Sequence, residues 1–191
     1  MSKISSTIGF HGFAARADRS SKTRRWFAAA GALAAAALCA DAAAAATPKA
    51  IATYRDWNVF QLEEGGDTIC FAVTEPQDSS PKSVRHGDVF FLVSTWKSGA
   101  ASNQPSFMAG YDLKERSKPA ARVGSDKFEM YTSKNEAFVE EPADEARLIN
   151  SMRRGSTMRV SATSSRGTAT SYEISLLGVS AALDRAAEAC K

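Results

Sequence analysis

Few side chains that could do acid–base or covalent chemistry remain after residue 46, where the leader described below is predicted to end. The one histidine there, His86, lies in the stretch VRHGD, two residues before Asp88. A histidine close to a carboxylate can act as a general base, but the glycine and charges around it are typical of a surface turn, which is the interpretation we favour. A zinc site needs three or four protein ligands, and the one histidine cannot supply them. The Gly-x-Ser-x-Gly motif does not occur either. We therefore expect no catalytic residue, no metal site and no cofactor.

Adjacent carboxylates are the other candidates for chemistry. Close carboxylates can bind calcium or share acid–base work on a glycosidic bond, so a cell-envelope hydrolase that uses acidic residues is an alternative function. The same residues also suit solvated turns and the first turn of a helix, where negative charge is favoured, and no EF-hand loop is present. The pairs are Glu63–Glu64, Glu140–Glu141 and Asp144–Glu145.

A leader is predicted from the stretch TRRWFAAAGALAAAALCADAAAAAT, in which two arginines precede a run of mostly alanine. A membrane-spanning helix needs about 20 mainly apolar residues, and the run over 26–40 is shorter and only weakly apolar. A basic region, a short apolar run and an Ala-x-Ala ending at Ala46 have the layout of a secretory signal. We therefore predict a signal peptide over 1–46 that is removed, leaving residues 47–191 with no transmembrane anchor.

The export route has two interpretations. Arg24 and Arg25 fit a twin-arginine signal, or they are chance arginines in a general secretory signal. Cys39 also raises the question of a lipoprotein, but the bulky Leu38 before it argues against lipidation. Either route predicts a periplasmic protein, with outer-membrane association or secretion as further options.

Charge and length change once the leader is set aside. The whole chain has a formal charge of +3, and residues 1–46 hold six basic and two acidic residues, so the remainder is near −1. The basic character therefore belongs to the leader, and it gives no reason to expect a nucleic-acid partner. The remaining 145 residues suit one domain.

Two cysteines remain after the leader, Cys70 and Cys190. An even number of cysteines in an exported chain is typical of a disulfide, and Cys190 lies on the same apolar stripe as Leu183 and Ala186 of a predicted C-terminal helix. We predict a Cys70–Cys190 disulfide, with two free thiols as the alternative. Closing so long a loop would raise the free energy of unfolding by roughly 4 to 5 kcal/mol on the chain-entropy model.

Short β-rich runs separated by turns dominate the chain. The run DVFFLVSTW has a continuous apolar centre, which predicts burial on both faces. A helix is predicted to begin at Pro142 and end before Gly155, and a 3.6-residue period predicts a second helix over 179–189. The predicted strands cover 54–62, 68–74, 88–96, 106–113, 121–123, 127–132, 137–139, 157–163 and 168–176, and 75–81 is predicted as a loop. These elements predict an all-β sandwich with one short internal helix and a C-terminal helix.

Several motifs follow one another in a recognisable order. They are WNV at 57–59, Cys70, VFF at 89–91, MRRG at 152–155 and SLLGVSAAL at 175–183. This order resembles that of the invasion-associated locus B family of exported α-proteobacterial proteins, over residues from about Tyr54 to Cys190. The resemblance implies an immunoglobulin-like β-sandwich, a periplasmic or outer-envelope location and an association with the invasion of host red cells.

These observations predict an exported, non-enzymatic binding or adaptor module that acts in the periplasm or at the cell surface. Its partner would be a protein or another envelope component, and the sequence does not identify the binding residues. Besides the hydrolase, a further alternative is an envelope-homeostasis factor that binds outer-membrane proteins by lending a strand edge. That function would require an exposed, apolar edge strand.

Overall fold

The computed structural model of the chain describes residues 46–191. The predicted signal peptide, with Arg24, Arg25 and Cys39, lies outside the described residues except for Ala46. The described part contains eleven strands and two helices. They are β1 (Lys49–Tyr54), β2 (Trp57–Glu64), β3 (Asp67–Thr74), β4 (Asp78–Ser80), β5 (Phe90–Trp96), β6 (Gln104–Met108), β7 (Ala120–Val123), β8 (Asp126–Ser133), β9 (Glu136–Val139), α1 (Pro142–Arg154), β10 (Thr157–Thr163), β11 (Ala169–Ser175) and α2 (Val179–Ala189).

The strands form two layers that are joined by hydrogen bonds. Their order is β1-β2-β3-β5-β6-β9-β8-β7-β10-β11-β4, and all pairs are antiparallel. The Nε1 atom of Trp57 in β2 donates a 2.9 Å hydrogen bond to the carbonyl oxygen of Ser175 in β11. The ring centroids of Phe107 in β6 and Tyr172 in β11 lie 5.3 Å apart. Strands β2 and β6 of one layer therefore face β11 of the other, and the predicted all-β sandwich is confirmed.

One hydrophobic core fills the space between the layers. In β10 the buried residues Met158, Val160 and Ala162 alternate with exposed ones, as expected for a strand with one face on a core. By contrast, the first five residues of β5 are all buried, which confirms the burial predicted from the run DVFFLVSTW. Trp57 and Tyr172 are both fully buried and are among the largest side chains of this core.

Both helices bury the apolar stripes that their sequences predicted. In α1 the buried stripe includes Leu148 and Met152, and the helix ends before Gly155. The stripe of α2 includes Leu183, and this helix packs against β2 and β3. Arg153 of α1 joins the helices through its Nη2 atom, which lies 2.8 Å from Oδ1 of Asp184. Among residues 46–191, neither helix is long and apolar enough to span a bilayer.

Three predicted element bounds are wrong, each for a physical reason. Strand β1 was missed because Lys49, Ala50 and Ala52 have low β propensity and interrupt its β-branched residues. Strand β4 lies within the predicted loop 75–81, where Pro76 and Pro81 flank three residues that pair with β11; an edge position tolerates such neighbours. The strand predicted over 106–113 ends at Met108, because the following backbone turns to lie against another loop.

Candidate functional site

A cavity of about 260 Å³ lies between three loops of the sandwich. The loop after β4 contributes Arg85 and His86, and the segment after β6 contributes Tyr111. The β10–β11 turn and the strand that follows it contribute Ser165, Arg166, Thr168 and Thr170. Cationic groups and hydroxyl groups therefore make up most of this polar wall.

Two glycines allow the loops that carry His86 and Tyr111 to come together. Gly87 follows His86, and Gly110 precedes Tyr111. A Cβ atom on Gly110 would lie 2.5 Å from the backbone nitrogen of Asp88. A Cβ atom on Gly87 would lie 2.7 Å from the carbonyl oxygen of Gly110. Because neither glycine has a side chain, the two backbones can approach this closely.

A chain of hydrogen bonds connects the cavity wall to the core. The hydroxyl oxygen of Tyr111 lies 2.7 Å from that of Tyr172 and 2.7 Å from that of Thr170. The hydroxyl oxygen of Tyr172 lies 2.8 Å from Nδ1 of His86. The other ring nitrogen of this histidine, Nε2, lies 3.0 Å from the carbonyl oxygen of Pro81. Both sides of the imidazole are therefore engaged.

The direction of donation follows for the contacts of Tyr172 and for both ring nitrogens when His86 is neutral. The carbonyl oxygen of Pro81 can only accept, so Nε2 of His86 carries the hydrogen. Nδ1 then accepts from the hydroxyl of Tyr172. That hydroxyl accepts from Tyr111. The single hydroxyl hydrogen of Thr170 points either to Tyr111 or to the carbonyl oxygen of Ala162, which lies 3.3 Å away. Directed hydrogen bonds thus connect His86, Tyr172 and Tyr111, which keeps the side chains of the cavity wall in place.

Tyr172 acts as the anchor of this chain and does not reach the cavity. Its side chain is fully buried, and its ring meets that of His86 edge-on, with centroids 5.3 Å apart. Burial, reinforced by the hydrogen bond with Tyr111, raises the pKa of Tyr172 above the usual phenol value. The hydroxyl therefore stays neutral at physiological pH, and Tyr172 positions His86 and Tyr111 without acting as a base.

Two arginines of the cavity are exposed and have no anionic partner. Neither Arg85 nor Arg166 makes a side-chain hydrogen bond or an ion pair with another of residues 46–191. Arg159, by contrast, is paired, with 3.3 Å between its Nη2 atom and Oε2 of Glu173. The carboxylates next in sequence to the cavity residues, Asp88 and Asp112, do not line it. The cavity therefore carries uncompensated positive charge.

A second cavity of about 410 Å³ lies between α1 and the β5–β6 turn. Glu145 of α1 is the only carboxylate that lines it, beside Arg153 and Asn150. Partial burial raises the pKa of Glu145 above the usual carboxyl value. This cavity therefore holds one candidate acid without a second carboxylate beside it.

The structure brings the two predicted disulfide residues together. The Sγ atoms of Cys70 in β3 and Cys190 after α2 lie at bonding distance, and their Cα atoms are 5.8 Å apart. Cys70 is fully buried and Cys190 is 6% exposed. The pair thus joins the end of the C-terminal helix to an early strand, as the sequence predicted.

The sequence interpretation of His86 as a surface-turn residue is only partly right. The residue lies in a loop, but its ring is half-buried and bonded to Tyr172. Asp88, which the alternative interpretation paired with it, makes no side-chain hydrogen bond to His86. The glycines beside His86 and Tyr111 were a signal of close backbone approach that sequence reasoning overlooked.

Two members of the acidic pairs singled out from the sequence have ordinary surface partners. Glu63 accepts hydrogen bonds from the hydroxyl of Thr68, and Asp144 pairs with Arg147 at 2.5 Å. Within residues 46–191, no three His, Cys, Asp or Glu side chains are grouped closely enough to hold a metal ion. These acids are dispersed over the described surface and do not form a joint site.

Comparisons with curated proteins and with solved structures found no match. A family model described as Invasion associated locus B (IalB) protein matches residues 57–187. The matched range includes Cys70 and the cavity residues His86 and Tyr111, together with their anchor Tyr172. Because the match covers well over half of the chain, this protein belongs to the Invasion associated locus B (IalB) family.

Proposed function

We propose that this chain is an exported, non-enzymatic binding module that recognises its partner at the cavity carrying Arg85 and Arg166. The observation that carries this proposal is that hydrogen bonds hold side chains of the cavity wall in place, while two charged side chains beside them are unpaired. The hydrogen-bond chain through Tyr172 holds His86 and Tyr111 in place, whereas the two arginines have no ion-pair partner among residues 46–191. A site whose polar groups are already positioned loses little entropy when a ligand binds.

The side chains that could react already make other contacts, and this supports binding over catalysis. Both ring nitrogens of His86 are occupied by Tyr172 and Pro81, so the ring is not free to take a proton from a ligand. The raised pKa of Tyr172 keeps its hydroxyl neutral. Cys70 and Cys190 lie at bonding distance from each other, so neither is a free nucleophile.

The hydrolase alternative receives less support from the acidic residues. Glycosidases use two carboxyl groups about 5 to 9.5 Å apart on either side of the scissile bond. The 410 Å³ cavity offers one lining carboxyl group, that of Glu145. Its raised pKa suits a general acid, but no second carboxylate lines that cavity as its partner.

The strand-lending alternative depends on the two edges of the sheet, β1 and β4. Strand β4 has only three residues, and its Asp78 pairs with Lys82. Strand β1 has six residues, begins with Lys49, and has an irregular register between Ala50 and Ala52. Short, charged or bulged edges discourage pairing with another chain, so these edges favour the cavity as the recognition site.

The location proposed for this module is the periplasm or the cell surface. The predicted signal peptide over 1–46 supports export, and family membership agrees with it. At the surface, the same cavity would be accessible to host cells, in keeping with the word invasion in the family description. The partner would be a protein or another component of the envelope, and we include no nucleic acid, cofactor or metal in the proposal.

Fractionation and crosslinking in the native cell test this function. We expect a processed chain that begins near Thr47 in the periplasmic or surface fraction, with crosslinked partners that are lost in an Arg85→Gln/Arg166→Gln variant. An Arg159→Gln variant is the matched control, because that arginine lies outside the cavity and is already ion-paired. An unprocessed cytoplasmic chain, or partners that are identical in all variants, would contradict the proposal.

A further inference from the structure

We infer that the 260 Å³ cavity binds a phosphate monoester group, held by Arg85 and Arg166. This inference depends on the proposed binding function and adds the chemical class of the ligand. Both arginines line the cavity, from loops that are distant in sequence. The fold therefore brings two guanidinium groups to one polar pocket, and guanidinium groups bind phosphate oxygens with two parallel hydrogen bonds.

The charge around the cavity favours an anion. Neither arginine is neutralised by an ion pair with another of residues 46–191. Asp88 and Asp112 are the nearest acids in sequence to the lining residues, and both lie outside the lining. The formal charge of residues 47–191 is near −1, so the two unpaired arginines form a local positive feature on a weakly acidic domain. Such a local field attracts negatively charged ligands.

The number of hydrogen-bond donors favours a phosphate over a carboxylate. Ser165 and Thr168 line the cavity together with the arginines, and neither hydroxyl donates to another side chain or backbone group of residues 46–191. Two guanidinium groups and two hydroxyls offer more donors than the two oxygens of a carboxylate can accept. A phosphate monoester presents three acceptor oxygens and a charge of about −1.5 to −2 at neutral pH.

The size of the cavity limits how much of the ligand it holds. Its volume of about 260 Å³ is below the range of about 300 to 1,000 Å³ that encloses a typical small molecule. The phosphate and the atoms next to it would fit, and the rest of the ligand would extend outward past Val84. This apolar side chain is 38% exposed and lies at the cavity. Both a phospholipid headgroup and a soluble phosphate ester satisfy this description.

Binding of defined phosphate compounds to the processed protein, purified from the periplasm or culture medium, tests the inference. The soluble probes are glycerol 3-phosphate, inorganic phosphate and, as the carboxylate comparison, acetate. We expect glycerol 3-phosphate to bind at least about tenfold more tightly than acetate by titration calorimetry. In NMR spectra, we expect the largest shifts at Tyr111 and Thr168. Each of Arg85→Gln and Arg166→Gln should weaken binding by about tenfold or more, as expected for the loss of a charge-assisted hydrogen bond.

Vesicles distinguish the two sources of the phosphate group. A lipid headgroup would be identified if the protein bound phosphatidylcholine vesicles that contain phosphatidic acid in preference to vesicles of pure phosphatidylcholine. A soluble ester would be identified if glycerol 3-phosphate bound as tightly as the vesicles that contain phosphatidic acid, or more tightly. Arg159→Gln should leave both affinities unchanged, because that arginine lies outside the cavity.

Three results would overturn the inference: acetate binding as tightly as glycerol 3-phosphate, affinity unchanged in the double arginine variant, or no binding of any phosphate probe. These results are distinguishable from a failure of the proposed function. If crosslinks in the cell depend on Arg85 and Arg166 but no phosphate compound binds, the binding function stands and the ligand class is wrong. If the crosslinks are also independent of both arginines, both proposals fail.

Discussion

The hydroxyl oxygens of Tyr111 and Tyr172 lie 2.7 Å apart although the residues are separated by 61 positions in the chain. Tyr172 belongs to β11 and is fully buried in the core, whereas Tyr111 lines the cavity from the segment after β6. The core of the sandwich therefore supports the cavity wall directly. Changes at a residue that never meets the ligand should alter both the stability of the fold and the geometry of the site.

Tyr172→Phe tests this connection. The substitution keeps the ring and removes the hydroxyl that bonds to His86 and Tyr111. Because both partners are part-buried and would lose a hydrogen bond, we expect a loss of about 1 to 3 kcal/mol in the free energy of unfolding. Urea denaturation measures the loss, and NMR signals of the His86 ring should shift at the same time.

Tyr131→Phe is the matched control for this substitution. Tyr131 is 47% exposed, and its hydroxyl makes no hydrogen bond with another of residues 46–191. An exposed change of this kind should alter stability by less than about 0.5 kcal/mol. Equal urea midpoints for the two variants would show that the buried chain of hydrogen bonds contributes nothing.

The raised pKa of Tyr172 predicts a loss of stability at high pH. Tyrosines of the unfolded chain ionise around the usual pKa of 10.0, whereas burial keeps Tyr172 protonated in the folded protein above that pH. In this window the folded state binds more protons than the unfolded state, so the free energy of unfolding falls as pH rises. Denaturation series above pH 10 should show a shallower fall for Tyr172→Phe than for the parent. Parallel curves would contradict the assignment.

Gly110→Ala should separate the two loops that form the cavity. A Cβ atom there would lie 2.5 Å from the carbonyl oxygen of His86, so one backbone must move. Overpacking of this kind costs about 1 to 3 kcal/mol, and the displaced His86 loop should lower the affinity for glycerol 3-phosphate. Gly65→Ala is the control for binding, because no atom lies within 4 Å of its Cβ position. Its φ of +61° strains an alanine there, so the two variants are compared by affinity and not by stability. The Gly65→Ala variant should bind normally, and equal affinities for both variants would mean that close loop approach is not needed.

The elements that sequence reasoning predicted well are those with strong local signals. The apolar run of β5 and the proline, acidic and basic residues at the two ends of α1 identify these elements without help from the rest of the chain. Strand β1 has no such signal, since no residue of it is fully buried and it forms by pairing with β2. Strand β4 likewise forms only by pairing with the edge of β11. Elements that depend on a distant partner were therefore the ones missed.

The candidate site was hidden from sequence reasoning for the same reason. His86 and Tyr172 are 86 positions apart, and nothing in either local sequence indicates the other. That Arg85 and Arg166 line one cavity likewise depends on where the loop after β4 and the β10–β11 turn lie in the fold. The Cys70–Cys190 pair was predictable, despite its longer separation of 120 positions, because only two cysteines remain after the leader.

The pairing of Cys70 with Cys190 predicts a large stability difference between the oxidised and reduced protein. A crosslink over 120 positions restricts the unfolded chain far more than the folded one, and the chain-entropy model assigns it roughly 4 to 5 kcal/mol. Neither thiol should react with an alkylating reagent in the unfolded, unreduced protein, and both should react after reduction, as mass spectrometry can show. Two reactive thiols before reduction would contradict the bond.

Reduction of the parent protein is a cleaner comparison than substitution. Cys70 is fully buried in the core, so Cys70→Ala would remove packing contacts as well as the crosslink. The reduced parent keeps every side chain, and the difference between its urea midpoint and that of the oxidised protein isolates the bond. A Cys70→Ala/Cys190→Ala variant should then lie below the reduced parent by the packing loss alone. If it matches the oxidised protein instead, the C-terminal helix α2 is held by its apolar stripe, and the crosslink is dispensable for stability.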